Sequence, residues 1–143
     1  MIRSDRTVID WVSEHLAGAK FQEGATALGL ERHGKLVAGV VYENWNGVSC
    51  TCHIAITAPL SKDYLRAIFH YPFIFGNLGK IIAPISQSNR KSIRLVTNMG
   101  FRKEAQILDA SPDGSVELYT LGRDECRFIG EQHGQERRSA TGT

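Results

Sequence analysis

The sequence predicts a mixed α/β (α+β) domain, built on a mostly antiparallel sheet with a central β-α-β crossover and flanking helices. Three observations carry that expectation. Apolar residues recur at helical spacing in three separate segments, extended runs rich in β-branched residues lie between them, and glycine-containing turns join consecutive runs as hairpins.

In chain order, Ser4 and Asp5 can cap a helix over about 5–17, where Val8, Ile9, Trp11, Val12 and Leu16 follow the 3.6-residue period and Gly18 offers a stop. Two extended runs follow, ALGLER and KLVAGVVYENW, joined at His33-Gly34, where glycine accepts a positive φ cheaply. Asn46-Gly47 is a second hairpin signal, leading into VSCTCHIAIT, so the first half supplies three antiparallel strands. After Pro59, Ser61 can cap a helix over about 61–71 through Tyr64, Leu65, Ile68 and Phe69, until Pro72 interrupts it.

KIIAPIS then reads as a short strand of the kind buried on both faces. Asn89 opens a helix through Ile93, Leu95 and Val96 that ends at Gly100. Residues 101–110 and 115–121 are two further strands, separated by the turn Ser111-Pro112-Asp113-Gly114.

At 143 residues the chain has the size of one ordinary domain, which buries roughly two thirds of its unfolded surface. One domain is expected over 1–129, followed by a flexible polar tail, 130–143, with almost nothing apolar in it. A net charge of +2, scattered along the chain, is too small for a duplex-binding footprint, so no nucleic-acid partner is expected. The start lacks an apolar run of signal-peptide length, and no stretch approaches a membrane span, so neither export nor a membrane partner is expected. The three cysteines, Cys50, Cys52 and Cys126, fit reduced thiols and a cytoplasmic location.

Several motifs can be set aside. Gly24-Ala-Thr-Ala-Leu-Gly29 has the glycine spacing of a phosphate loop but not the Lys and Ser/Thr that follow one, and reads as a turn. Cys50-Thr-Cys52-His53 suggests zinc, yet on a strand the thiols face one side and His53 the other, so no metal site is expected. No nucleophile elbow is present, and His15, His33 and His70 read as surface or packing residues.

The informative stretch is KIIAPIS followed by Asn89, Ser92, Ile93, Leu95 and then Met99-Gly100-Phe101. This spacing, with the two strands after it, resembles the GNAT superfamily of N-acetyltransferases. Through VAGVVYENWNGV, CHIAI, FHYPF and RDECRF it is most similar to a subgroup seen in phage and prophage genomes. The resemblance covers about residues 26–128. It implies that acetyl-CoA serves as cosubstrate in a gap where the fourth and fifth strands splay apart.

Backbone groups of Ile54 and Ile56 would then pair with the donor's amides, the helix beginning at Ser61 and Lys62 would meet the pyrophosphate, and Asn89, with Arg90, Lys91 and Ser92, would meet the donor from the other side. Thr57-Ala-Pro-Leu-Ser-Lys62 replaces the superfamily's glycine-bearing phosphate loop, and Val96 stands where many relatives carry a tyrosine acid.

For the proton acceptor the candidates are His53 and Glu43. His53 has the pKa range the task needs and also reads as a hydrogen-bonded sheet histidine, whereas Glu43 reads first as a solvated strand-end carboxylate. The expected activity is transfer of an acetyl group to a primary amine of a small molecule or peptide, with a homodimer plausible from the resemblance. The alternative is a degenerate relative that keeps the fold as a binding or regulatory module.

Overall fold

The computed structural model describes residues 1–129; the expected tail, 130–143, lies outside the described residues. Strand β1 (Ile2–Arg3) pairs with β2 through Ile2 and Leu30. It was not expected, because two residues carry no periodicity. Helix α1 (Arg6–His15) begins at Asp5, whose carboxylate accepts from the Thr7 amide at 3.0 Å. It stops where Ala17 and Gly18 turn left-handed, with the Gly18 amide donating back to the Ser13 carbonyl at 2.8 Å.

Strands β2 (Thr26–Arg32), β3 (Lys35–Glu43) and β4 (Ser49–Ile56) form the expected meander. His33 and Gly34, at φ 53° and 79°, make the tight turn between β2 and β3. Asn46 anchors the next connection, its side-chain oxygen accepting from the amides of Val48 and Ser49. The Gly24–Gly29 segment, read as a turn, is mostly the start of β2.

Helix α2 (Lys62–His70) is capped by Ser61, whose hydroxyl accepts from the Tyr64 amide at 3.2 Å. Pro72 was expected to interrupt the helical path, and it does not. The chain widens into a single π-helical turn, Tyr71–Phe75, with Pro72 near its start, where a missing N–H leaves no gap in the ladder. Strand β5 (Lys80–Ser86) leads to α3 (Arg90–Asn98), capped by Asn89 and ended by Gly100 at φ 106°. Strands β6 (Arg102–Ser111) and β7 (Gly114–Gly122) close the sheet, whose order is β1-β2-β3-β4-β5-β7-β6. Among the described strands only β4 and β5 run parallel, which makes α2 the crossover.

The two faces of the sheet are covered unequally. On one, Cys50, Cys52 and Ile54 of β4 pack with Tyr64, Ile68 and Phe69 of α2 and with Val96 and Met99 at α3. On the other, α1 presses Val8 and Val12 against Ala27, Val41 and Ala55. Among the described residues no helix covers that second face beyond β4, and β5 is not buried on both sides as its composition suggested. Ile81, Ala83 and Ile85 are buried, and Ile82, Pro84 and Ser86 are half-buried. Strand β6 is exposed along almost its whole length, including Leu108.

Among the described residues no helix is long and apolar enough to cross a membrane. All three cysteines are free and buried, and burial pushes the Cys50 thiol up to about 12.

Close approach of α1 depends on two glycines paired across β2 and β3, Gly29 and Gly39. A Cβ at Gly39 would lie 2.5 Å from Val12 Cγ2, and one at Gly29 would lie 2.7 Å from Val8 Cγ2. Gly39→Ala should therefore overpack this face and lower stability by about 1–3 kcal/mol. Denaturant unfolding checks this, with Gly47→Ala, in open space at the exposed turn, as the comparison for a φ penalty without a clash.

Candidate active site

The site begins with a broken ladder. Strands β4 and β5 pair only through Ser49–Lys80, Cys50–Ile81 and Thr51–Ile82, after which both continue without pairing to each other. The alternation of strand hydrogen bonds shows which groups face the resulting gap. The Thr57 amide donates to the Val37 carbonyl at 2.8 Å, so the odd-numbered residues of β4 pair with β3 and the amides and carbonyls of Ile54 and Ile56 point at the gap.

The same reasoning applies across the gap. The Gln87 amide donates to the Ser115 carbonyl at 2.9 Å, so the odd-numbered residues of β5 pair with β7, and Ile82, Pro84 and Ser86 face β4. The next donor required to extend the parallel ladder belongs to residue 84, and proline has none. The strands part at that point.

His53 and Glu43 stand beside the gap on the face that α1 covers. They occupy diagonal positions on β4 and β3, and His53 Nε2 lies 2.7 Å from Glu43 Oε2. Glu43 is not the solvated carboxylate expected. It is 8% exposed, because the loop after α1 folds over it and the Gln22 amide donates to its other oxygen at 2.9 Å. With both carboxylate oxygens accepting, Nε2 carries the imidazole proton and Nδ1 keeps the lone pair.

The Phe21 ring packs 4.9 Å from the imidazole. Burial lowers the His53 pKa below its ordinary value, and the hydrogen bond and charge of Glu43 oppose that shift without cancelling it. At neutral pH His53 is therefore an uncharged base, oriented by a carboxylate.

A cleft of about 480 Å³ joins these features. Cys52, His53 and Ile54 line it from β4, Ala83–Ser86 from β5, and Asn89, Ser92 and Val96 from α3. The end of α1 closes one side with His15 and Leu16, and the β6–β7 turn closes another with Ser111 and Asp113.

Of the residues expected at the site, His53, Ile54, Asn89 and Ser92 meet in this cleft, with Glu43 behind His53. The Asn89 side-chain oxygen accepts from the Ser92 amide at 3.2 Å, which makes it a helix cap as well as a wall of the cleft. Ile56, Ser61, Lys62 and Arg90 do not line it. They lie further out, toward the open end of the gap and the start of α2 or α3.

Sequence reasoning missed His15, Gln22 and Asp113. His15 Nδ1 lies 2.8 Å from the Trp11 carbonyl and its ring stacks on Trp11 at 3.9 Å, an i, i+4 pairing visible in the sequence. Gln22 acts through its backbone and Asp113 through a hairpin tip, and neither leaves a local signal. Among the described residues no group of three or more His, Cys, Asp or Glu side chains is placed to hold a metal ion.

No protein-family model matches the sequence, and no curated protein matches it. Solved structures do match. Spermidine/spermine N-acetyltransferase SpeG from Vibrio cholerae superposes with a TM-score of 0.68 at 15% identity, over 87% of this chain and 92% of that one. A dodecameric structure of the spermidine N-acetyltransferase from the same organism gives 0.65 at 15%, over 87% and 94%. N-acetyltransferase PseH from Campylobacter jejuni, in complex with acetyl coenzyme A, gives 0.54 at 14%, over 71% and 70%.

The chain has the GNAT acetyltransferase fold. The parting of β4 from β5 is as the resemblance implied, and the Asn89 cap is as its place before α3 predicted. The Glu43–His53 pair is set by the loop after α1.

The electrostatics of the pair can be tested without substrate. Glu43 raises the His53 pKa and burial lowers it, so Glu43→Gln should move the His53 midpoint further below 6.5. Proton NMR titration of the imidazole reads this directly, and an unchanged midpoint would mean that Glu43 is not coupled to His53.

Proposed function

We propose that this chain transfers an acetyl group from acetyl-CoA to a primary amine by direct attack in a ternary complex, with residues 1–129 acting as one acetyltransferase domain. The open backbone edge of β4 beside β5, with His53 and Glu43 at its side, carries the reading. An unpaired strand edge receives the donor's amides as a further strand would. An N–H of Ile54 or Ile56 then faces the thioester oxygen, where negative charge develops during attack. Nδ1 of His53 takes the proton that the amine loses, and Glu43 holds the ring in the tautomer that allows it. Glu43 is thus a positioning residue. Val96 offers only methyl groups, so CoA departs as a thiolate, which a thiol pKa near 8.5 permits at a reduced rate.

The cleft walls favour a small cationic acceptor. Among the described residues lining it there is no Lys or Arg, while Asp113 and the hydroxyls of Ser86, Ser88, Ser92 and Ser111 are present. Spermidine, on which SpeG acts, is a sensible first member of that class. Buried free thiols fit a reducing compartment, and we place the chain in the cytoplasm.

The test is calorimetric titration with acetyl-CoA followed by an amine screen read as free CoA. Micromolar binding, about −8 kcal/mol, is expected. His53→Gln should then lower kcat by about 10²-fold or more while leaving donor affinity unchanged. Absence of binding at millimolar acetyl-CoA would overturn the enzyme reading in favour of a binding module.

Strand β6 supports a homodimer. It is an unpaired sheet edge with Ile107 and Leu108 exposed at 49% and 73%. If a second copy covers it, Leu108→Asp will shift the protein from dimer to monomer in sedimentation analysis without lowering its melting temperature.

A further inference from the structure

We propose that the phosphates of the acyl donor are gripped by a side-chain clamp, Arg32 and Lys91, in place of a glycine-lined backbone loop. This rests on the donor reading above and adds how the donor is held. The segment from Ile56 to Ser61 connects β4 to α2 at the open end of the strand gap, where a donor's polar end would emerge.

Its backbone is poorly suited to an anion. It contains no glycine, so side chains keep a ligand away from the amides, and Pro59 contributes no amide at all. At the start of α2 the Tyr64 amide is already taken by the Ser61 hydroxyl at 3.2 Å, and Asp63 places a negative charge in the first turn.

Two cations from other elements close on the same segment. Arg32, at the end of β2, donates from Nη1 to the Pro59 carbonyl at 2.6 Å. Lys91, in the first turn of α3, donates from Nζ to the Ile56 carbonyl at 3.2 Å. Among the described residues neither is in an ion pair: Arg3, Arg6, Arg66, Lys80, Arg102 and Lys103 have carboxylates, whereas these two cations rest on neutral carbonyls. Each can exchange a neutral acceptor for an anionic one, and charge-assisted bonds to phosphate are the stronger kind.

The position of Lys91 adds a constraint. The Ile56 carbonyl faces the gap, so the ammonium spans from α3 toward β4 and caps a group that a donor amide would need. Seating the donor displaces Lys91 from that carbonyl and delivers its charge to the phosphates that follow the arm out of the gap. The clamp thus exchanges one partner for another with no change in the fold.

The experiment compares two donors with the same thioester and amides, acetyl-CoA and S-acetylpantetheine, the second lacking phosphates. For Arg32→Gln and Lys91→Gln, KM for acetyl-CoA should rise about tenfold each at low salt with kcat unchanged, a loss of about 1.4 kcal/mol apiece. KM for S-acetylpantetheine should stay level, or fall slightly for Lys91→Gln as its carbonyl is freed. Arg32→Lys should recover most of the loss. Raising NaCl to about 300 mM should weaken acetyl-CoA binding to the native protein and leave the double variant nearly flat.

Equal losses on both donors would show that the two side chains merely hold the segment in place, and unchanged affinities would show that phosphate is bound elsewhere; either overturns the clamp while leaving the acetyltransferase reading intact. If the native protein turns over neither donor and binds neither by calorimetry, the donor reading itself fails, and the clamp with it.

Discussion

One missing hydrogen explains where the site is. In a central parallel pair each β5 residue facing β4 should donate to it, and Pro84, the next such residue after Ile82, cannot. Proline is normally confined to strand edges because it cannot complete a ladder on the side its nitrogen faces. Here the nitrogen faces β4, so β5 behaves as a central strand toward β7 and as an edge toward β4. Pro84 remains fully compatible with the sheet on its other side, through its register with Leu118. The right-handed twist of the sheet then carries the two unpaired ends apart, and the amides of Ile54 and Ile56 and the Ile54 carbonyl are left for solvent or a ligand, while Lys91 rests on the Ile56 carbonyl and the Asn89 amide on that of Ser86.

A gap alone would be a peptide-binding edge; what gives it chemistry is the packing of α1. Gly29 and Gly39 let the helix sit close to β2 and β3, so its C-terminal end arrives beside β4 and the loop after it turns down onto Glu43. Without that loop the Glu43 carboxylate would be solvated, as its place at a strand end suggests, and its hold on His53 would be screened. With it, the Gln22 amide fixes one oxygen and leaves the other for the imidazole. A packing contact between valines and glycines on one pair of strands thus sets the protonation behaviour of a histidine on the next.

Much of the fold could be read locally because its punctuation is local. His33-Gly34, Asn46-Gly47, Ser61, Asn89 and Gly100 each force a turn or cap through their own chemistry, and each does so in the structure. What could not be read depends on distant partners. Strand β1 is two residues that exist only because β2 offers an edge, and the second face of β5 is open because α1 spends its length over β2–β4. The burial of Glu43 is decided by a backbone amide 21 residues away. Asn89 was singled out by the resemblance and His53 by the need for a proton acceptor, and both line the cleft, whereas Asp113 reaches it only through the β6–β7 hairpin.

The same contrast bears on how the chain departs from the sequence pattern it resembles. A glycine loop that binds phosphate through its backbone is a local device, and its absence from residues 57–62 is plain in the sequence. Charges that converge from β2 and α3 are a tertiary device, and no spacing rule reports them. Arg32 is 24 residues before Ile56 and Lys91 is 35 after it. A loop stripped of glycine therefore does not decide between a lost site and a relocated one. The clamp proposed above requires cations without carboxylate partners at the same end of the gap, and Arg32 and Lys91 meet that requirement through the carbonyls of Pro59 and Ile56.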